Sequence, residues 1–274
     1  MLSTAILIVV PARYGSQRLP GKPLAMIAGR TLLERVTAIA RQAADVAGDA
    51  EMVVATDHQA IADHARALGH ETVMTSPEIA SGSGRAYAAS LAGTERPDIV
   101  INLQGDAPFT PASAIVALID ALRGSDAPVA TPVMRLSWPE LDQLREHKLT
   151  TPFSGTTCVR AADGRALWFS KAIIPAIRNE ADLRAREPMS PVFGHLGLYG
   201  YRFAALERFE TMPQSYYEEV EGLEQLRFLE AKMDILTLEV SLPLYAMSGI
   251  DTAEDVAMAE SVIGQLGDPH GLWK

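Results

Sequence analysis

A three-layer α/β fold, with a mainly parallel sheet between two layers of helices, is predicted by three features of this 274-residue chain. Short apolar runs rich in Val and Ile alternate with amphipathic stretches of helical period through the first half. Turns carrying Gly, Pro or Asp separate them. A βαβαβ rhythm of this kind lays strands parallel with helices on both faces, and brings ligands to the strand carboxyl ends.

The elements follow in order. Ile6–Val10 is an apolar β-branched run, the pattern of a strand buried on both faces. It breaks at Pro11 and Ala12 into a polar loop with Arg13, Gly15, Ser16, Arg18, Gly21 and Lys22. A helix is expected over 31–47, with Leu32, Leu33, Val36, Ile39 and Ala40 on one face. Residues 51–56 read as a second strand ending in Asp57 and His58, and 59–68 as a helix closed by Gly69. A short strand over 71–75 is followed by a polar loop, SPEIASGSGR, and an alanine-rich helix at 86–92. Residues 98–103 form another buried strand, running into Gln104-Gly105-Asp106. A helix over 111–122 and a strand over 129–134 complete the rhythm.

Beyond residue 135 the pattern changes. Residues 135–160 read as polar and irregular, and 178–191 as a charged segment with prolines at its end. Residues 194–203 alternate and are aromatic-rich, which suits a strand presented to a partner or an edge. A single helix is expected over 218–230 and a late strand over 237–242. Residues 249–255 form a loop entering a helix, with Thr252 as N-cap and Asp255 three residues on. The tail after Gly264 reads as frayed. With no internal repeat or low-complexity linker, residues 1–274 are expected to form one domain, carrying a smaller lobe inserted at about 135–205.

Bulk properties exclude several classes. The net charge of −10 argues against a general nucleic-acid binder, which needs a basic face. A lone cysteine, Cys158, excludes an internal disulfide and any multi-cysteine metal cage. No run approaches the ~18 apolar residues of a membrane span. The first ten residues lack a charged n-region and run straight into the cationic loop, so they read as a strand and not a signal peptide. The expectation is a soluble, cytoplasmic protein without nucleic-acid or membrane partners.

Two features carry chemistry. A strand that delivers a glycine-bearing loop with three cations to the carboxyl edge of a sheet suits a polyphosphate, since backbone N–H groups approach the oxygens and the cations balance charge. The spacing is neither GxxxxGK[ST] nor GxGxxG. An ordinary cationic surface loop is the alternative. Asp106, just past a buried strand and behind Gly105, reads as a metal ligand or as a turn aspartate. Asp251, on a distant loop before a helix, reads as a second ligand or as a helix N-terminal residue.

The passage VVPARYGSQRLPGKPL resembles the 3-deoxy-manno-octulosonate cytidylyltransferases (CMP-KDO synthetases), sugar-activating nucleotidyltransferases. Further blocks resemble that family: VATDH at 54–58, SGSGR at 81–85, QGDAP at 104–108, HLGLYGYR at 195–202, GLEQLRFLE at 222–230 and GIDTAED at 249–255. The resemblance spans roughly residues 5–260. It implies a Rossmann-like nucleotide-binding topology and a reaction of CTP with KDO that releases pyrophosphate, for lipopolysaccharide or capsule synthesis. It also implies Mg²⁺ held by Asp106 and Asp251, with Arg13 and Lys22, helped by Arg18, on the triphosphate. Pro11, Ala12, Gly15, Ser16, Ser81, Gly82, Arg85 and Gln104 would complete the nucleotide contacts. Gln104, His195, Tyr199, Glu224 and Gln225 would meet the sugar acid, and Asp57 would be structural. A homodimer formed through the inserted lobe is implied as well.

As bare residues, His195 is a core or edge histidine and Glu224 a solvated helical residue. The sequence departs from the family pattern in several places. Ala107 stands where the family has glutamate, Ser83-Gly84 where it has Thr-Glu, and Lys171 and Gly194 where it has arginines. Residues 150–159, TTPFSGTTCV, replace an asparagine- and lysine-containing segment. These departures leave open a different ulosonic acid, of amino-KDO or sialic acid type, or a nucleotide-binding protein without turnover.

Overall fold

The computed structural model describes residues 5–16, 18–241 and 249–268. Strand β1, Ile6–Ala12, is followed by a small hairpin, β2 (Met26–Ile27) and β3 (Arg30–Thr31), and by helix α1 (Leu32–Ala47). Next come β4 (Ala50–Thr56), α2 (Gln59–Ala67), β5 (Glu71–Met74), α3 (Gly82–Ser90), β6 (Ile99–Leu103), α4 (Ala112–Arg123) and β7 (Val129–Ser137). The second half contains α5 (Trp138–Thr150), β8 (Thr157–Arg160), β9 (Ala166–Ser170), α6 (Glu180–Arg186), β10 (Met189–His195), β11 (Leu198–Arg202) and α7 (Phe203–Thr211). It closes with α8 (Tyr216–Glu221), α9 (Gln225–Glu230), β12 (Ile235–Glu239) and α10 (Ala253–Leu266).

The central sheet runs β5-β4-β1-β6-β11-β7, with β12 paired to β7. Only β11 among these strands runs against the rest. The parallel strands β5, β4, β1 and β6 therefore send their carboxyl ends to one edge. Alternation within β1 explains the two helical layers. Ile8 and Val10 join one core with α1 and α4, where Leu33, Val36, Ile115 and Leu118 pack. Val9 joins the opposite core with α3, α7 and α9, where Ala86, Phe209, Leu226 and Phe228 pack. Each such fully buried Val, Leu, Ile or Phe side chain contributes roughly 1.5–3 kcal/mol relative to exposure.

Several expectations need correction. Strand β1 extends through Pro11 and Ala12, which pair with Ala55 and Thr56. Helix α3 begins at Gly82, inside the expected loop, because the Ser81 hydroxyl accepts from the Gly84 N–H and caps it. Most of the stretch 135–160 is regular: β7 runs to Ser137, whose capping box with Glu140 starts α5, and β8 follows, with only residues 151–156 between them irregular. Its polarity misled because α5 buries only Trp138 and Leu141. The aromatic strand 194–203 is broken after His195, and its second part, β11, lies between β6 and β7 rather than at an edge. Gly222, at φ +63°, divides the expected helix 218–230 into α8 and α9. Strand β12 starts at Ile235, and the expected end at Leu242 lies outside the described residues. Helix α10 passes Gly264 and reaches Leu266, and residues 269–274 lie outside the described residues.

The region expected as an inserted lobe continues the sheet itself. Strands β10, β8 and β9 extend it in antiparallel order. A satellite core of Leu136, Trp138, Leu141 and Val192 lies there, with Leu144 and Leu183 packed against it. Among the described residues, no helix is long and apolar enough to cross a membrane.

Candidate active site

The loop after β1 is folded on itself by backbone bonds. Tyr14 O accepts from Ser16 N at 2.8 Å and from Gly21 N at 3.3 Å, and the Ser16 hydroxyl accepts from Leu19 N at 3.3 Å. Gly21, at φ +65°, supplies the left-handed residue that turns the chain into the 3₁₀ turn of Lys22, Pro23 and Leu24. Asp57, at the end of β4, accepts from Tyr14 N at 2.9 Å, and the Tyr14 ring stacks on His58 at 3.9 Å. Asp57 thus serves as a strut for the loop.

The neighbouring strand end is pressed close. A Cβ on Gly105 would lie 2.2 Å from Pro11 O, so only glycine lets the ends of β6 and β1 meet. Asp106 follows at once, and its backbone carbonyl accepts from Ile250 N at 2.8 Å. That bond draws the distant loop before α10 onto the end of β6. Asp255 then fixes Asp251: its carboxylate accepts from Asp251 N and Thr252 N, each at 2.8 Å, as part of the capping box of α10.

The two aspartates, 145 residues apart in sequence, consequently share one cation. Lys22 Nζ lies 2.8 Å from Asp106 Oδ2 and 3.0 Å from Asp251 Oδ1, and Arg18 Nη2 lies 2.9 Å from Asp251 Oδ2. The Lys22 side chain is 14% exposed, while the aspartates are 32% and 38% exposed. Arg13 is exposed on the same loop, with no hydrogen bond or ion pair among the described residues. A Cβ on Gly15 would meet nothing within 4 Å among the described residues.

Beside this centre lies a cavity of about 350 Å³. Gln104, two residues before Asp106, forms one wall with Gly82 and Ser83. Gly155, Thr156 and His195 form another, and Tyr199, Glu224 and Gln225 face the same space. Three buried polar atoms here have no hydrogen-bond partner among the described residues: Asn102 Oδ1, Tyr199 OH and Gln225 Nε2. Leaving such an atom unpaired costs about 1–3 kcal/mol, so the cavity is shaped for a polar, hydroxyl-bearing ligand. Burial raises the pKa of Glu224 despite the bond it accepts from the Ser83 hydroxyl. Burial also pushes the Tyr199 hydroxyl far up, and lowers His195 to about 3 with help from the Lys171 charge. Thr131 donates to Leu198 O and lies 3.0 Å from His195 Nε2. Its lone pair therefore accepts from an Nε2–H, which fixes that tautomer of the neutral ring.

Lys22, Arg18, Asp106 and Asp251 come together as the sequence suggests, and so do Gln104, His195, Tyr199, Glu224 and Gln225. Arg85 differs. It is 2% exposed, and its guanidinium is spent on Thr75, Asp57 and Ile79 O. It braces the wall from behind instead of lining it, as does Ser81, whose hydroxyl caps α3. Sequence reasoning missed Asn102, Tyr201, Gly155 and Thr156 as lining residues. For Asn102 a signal existed: a lone amide within the apolar run IVINL must find a partner.

The departures also find places. Ser83 donates to Glu224, and a Cβ on Gly84 would lie 2.8 Å from Ser81 Oγ. Lys171 is half-buried, with its pKa lowered by that burial and its N–H on Glu221 at 2.8 Å. Gly194 pairs with Met134 and Thr157 across β7 and β8. Ala107 follows the Asp106 turn, donating its N–H to Gln104 O.

Comparison with known proteins places this arrangement. A cytidylyltransferase family model matches residues 7–235. The 3-deoxy-manno-octulosonate cytidylyltransferase of Maricaulis maris (strain MCS10) is 41% identical over 266 residues, 96% of this chain and 99% of the relative. The enzyme of the same description from Stenotrophomonas maltophilia (strain R551-3) is 39% identical over 265 residues, 95% of this chain and 97% of the relative. Among solved structures, a CMP:2-keto-3-deoxy-manno-octonic acid synthetase complexed with CTP superposes with a TM-score of 0.80 at 32% identity, covering 95% of this chain and 99% of that one. A strand-end cation loop, converging aspartates and a polar cavity thus sit in a chain similar to these enzymes over nearly its whole length, and the chain belongs to the 3-deoxy-manno-octulosonate cytidylyltransferase family.

Proposed function

We propose that this chain transfers the cytidylyl group of CTP to the anomeric hydroxyl of 3-deoxy-D-manno-octulosonate, giving CMP-KDO and pyrophosphate for lipopolysaccharide or capsule synthesis. The observation that carries this reading is the Lys22 ammonium bridging Asp106 and Asp251 beside a cavity with three unpartnered polar atoms. The near-full-length relatives supply the identity of nucleotide and acceptor.

In-line displacement at the α-phosphorus forms the acceptor O–P bond and breaks the bond to the β-phosphate oxygen. Catalysis of such a step rests mostly on positioning and on charge. Arg13 and Arg18 stand exposed for the triphosphate, and Lys22 exchanges carboxylate for phosphate oxygens when the nucleotide enters. Backbone from Pro11 to Ser16 and at Ser81–Gly82 frames the nucleotide, with Gln104 at the border of the two ligands. His195, Tyr199, Glu224 and Gln225 orient the acceptor through its hydroxyls. The neutral His195 offers hydrogen bonding without adding charge.

Mg²⁺ belongs to this proposal. Two hard carboxylate oxygen donors on one cationic centre suit a Mg²⁺ that takes its remaining ligands from phosphates and water. Among the described residues there is no cluster of three or more His, Cys, Asp or Glu side chains able to hold a metal. Asp106 and Asp251 would be its protein ligands, and the ion would neutralise phosphate charge and acidify the attacking hydroxyl. A homodimer is proposed as well, supported by the exposed Leu167, Tyr216, Tyr217 and Val220 around the edge strand β9. The reaction is assigned to the cytoplasm, with its CTP pool.

Purified protein with CTP, Mg²⁺ and KDO should release pyrophosphate. No release above an Asp106→Ala control, with several ulosonic acids tried, would remove the reading.

A further inference from the structure

The loop between α5 and β8 forms one wall of the acceptor cavity, yet little holds it. Gly155 and Thr156 line the cavity. The preceding Pro152, Phe153 and Ser154 are exposed, Phe153 at 78%. The loop's own backbone bond is Ser154 N to Thr151 O at 3.0 Å. Gly155 takes φ +71°. Its link to the rest of the wall is Thr156 O, which accepts from His195 N at 2.9 Å.

One side chain gathers this segment. Lys148, in the last turn of α5, directs its ammonium at four carbonyls: Gly155 O at 2.9 Å, Ser154 O at 2.5 Å, Pro152 O at 3.4 Å and Lys171 O at 2.7 Å. Three belong to the loop and the fourth to the chain leaving β9. No carboxylate pairs with Lys148 among the described residues; Glu221 and Lys171 act on it only through their fields. A compact ammonium with three rotatable donors suits such a carbonyl cage, whereas a planar guanidinium fork does not. Its charge also complements the carboxyl-terminal end of α5.

We propose that Lys148 is a positioning residue for the acceptor: it clasps the loop at residues 152–155 and thereby sets the Gly155–Thr156 wall and the His195 backbone bonded to it. This deepens the proposed reaction and rests on that reading for its kinetic consequence. Among the described residues, none of Lys148's hydrogen-bond partners belongs to the nucleotide side, so loss of the clasp should fall on the acceptor alone.

The test pairs Lys148→Met, which keeps the stem without the ammonium, with Lys148→Arg. The expected result for Lys148→Met is a KM for KDO raised tenfold or more, with CTP affinity by calorimetry within twofold of wild type. Lys148→Arg should recover only part of the loss. An acceptor KM within twofold of wild type, or equal losses for CTP and KDO together with a lower melting temperature, would overturn the proposal. A second readout needs no turnover. Chymotrypsin cleavage after Phe153, located by mass spectrometry in the folded protein, should accelerate tenfold or more in Lys148→Met. Unchanged cleavage would overturn the clasp, whereas faster cleavage in Lys148→Met, alongside a wild type inactive on every ulosonic acid, would spare it and remove only the proposed reaction.

Discussion

On the nucleotide side of the cleft, the carboxylates of Asp106 and Asp251 lean on Lys22 and Arg18, while on the acceptor side Asn102, Tyr199 and Gln225 hold buried polar atoms with no partner. The first arrangement is a half-exposed charge network in which cations and anions compensate one another. Ligand entry there is an exchange of partners, with little net desolvation left over. The second is a polar frame whose unmade bonds are carried by the surrounding core, notably the stacked rings of Tyr199, Tyr201, Phe228 and Phe209. Substitutions on the nucleotide side should therefore damage the chemical step. Those on the acceptor side should trade binding against stability.

The largest effect belongs to the charge centre. Asp106→Asn keeps shape and removes charge, and the rate of pyrophosphate release at saturating CTP and KDO should fall by about 10³. A loss confined to KM would blur the contrast between the two sides. On the acceptor side, Glu224→Gln should raise the KM for KDO by about 10- to 100-fold and leave CTP affinity unchanged in calorimetry. Equal effects on both ligands would break the distinction.

Acidification probes the acceptor frame without ligand. His195 is half-buried and neutral, with its pKa lowered from 6.5 to about 3 chiefly by desolvation. In the unfolded chain it gains a proton below pH 6.5, so unfolding takes one up. Its contribution to stability is whole above 6.5 and declines as pH falls from 6.5 toward 3, by up to about 1.4 kcal/mol per unit. Urea unfolding at pH 7.5 and 5.5 should show this extra loss in wild type and not in His195→Gln; equal losses would contradict the assignment. The smallest effect has an unusual sign. Tyr199→Phe removes a buried hydroxyl that lacks a partner, so the ligand-free protein should gain about 1 kcal/mol in stability while its KM for KDO rises. A destabilised variant would mean the hydroxyl is satisfied in the free protein.

What was readable in the sequence follows the same division. The nucleotide side is written in local signals: the β-branched run of β1, the cationic loop with Gly21, the amphipathic helix opening at Thr31, and Asp106 directly after a buried strand. By position alone Asp251 was either a second ligand or a helix N-terminal residue, and its resemblance block favoured the first, since the bond from Ile250 N to Asp106 O that places it spans 144 residues. The acceptor side depends on breaks that periodicity does not mark. Gly222 divides a helix whose apolar spacing runs on through it, and Leu196–Gly197 interrupts an aromatic strand that alternates cleanly on paper. Helix α5 hid because it buries only two residues. Lys148 sits on it as one more polar residue, and its four carbonyl partners come from an irregular loop and from the end of β9.

Coupling between the two aspartates tests the central claim most directly. Pyrophosphate release by Asp106→Asn, Asp251→Asn and the double variant forms a double-mutant cycle. If both carboxylates serve one charge centre, each single change disables it, and the double variant should be no more than a few-fold slower than the worse single. Losses that multiply in the double variant would mean two independent sites, and would contradict the convergence at Lys22.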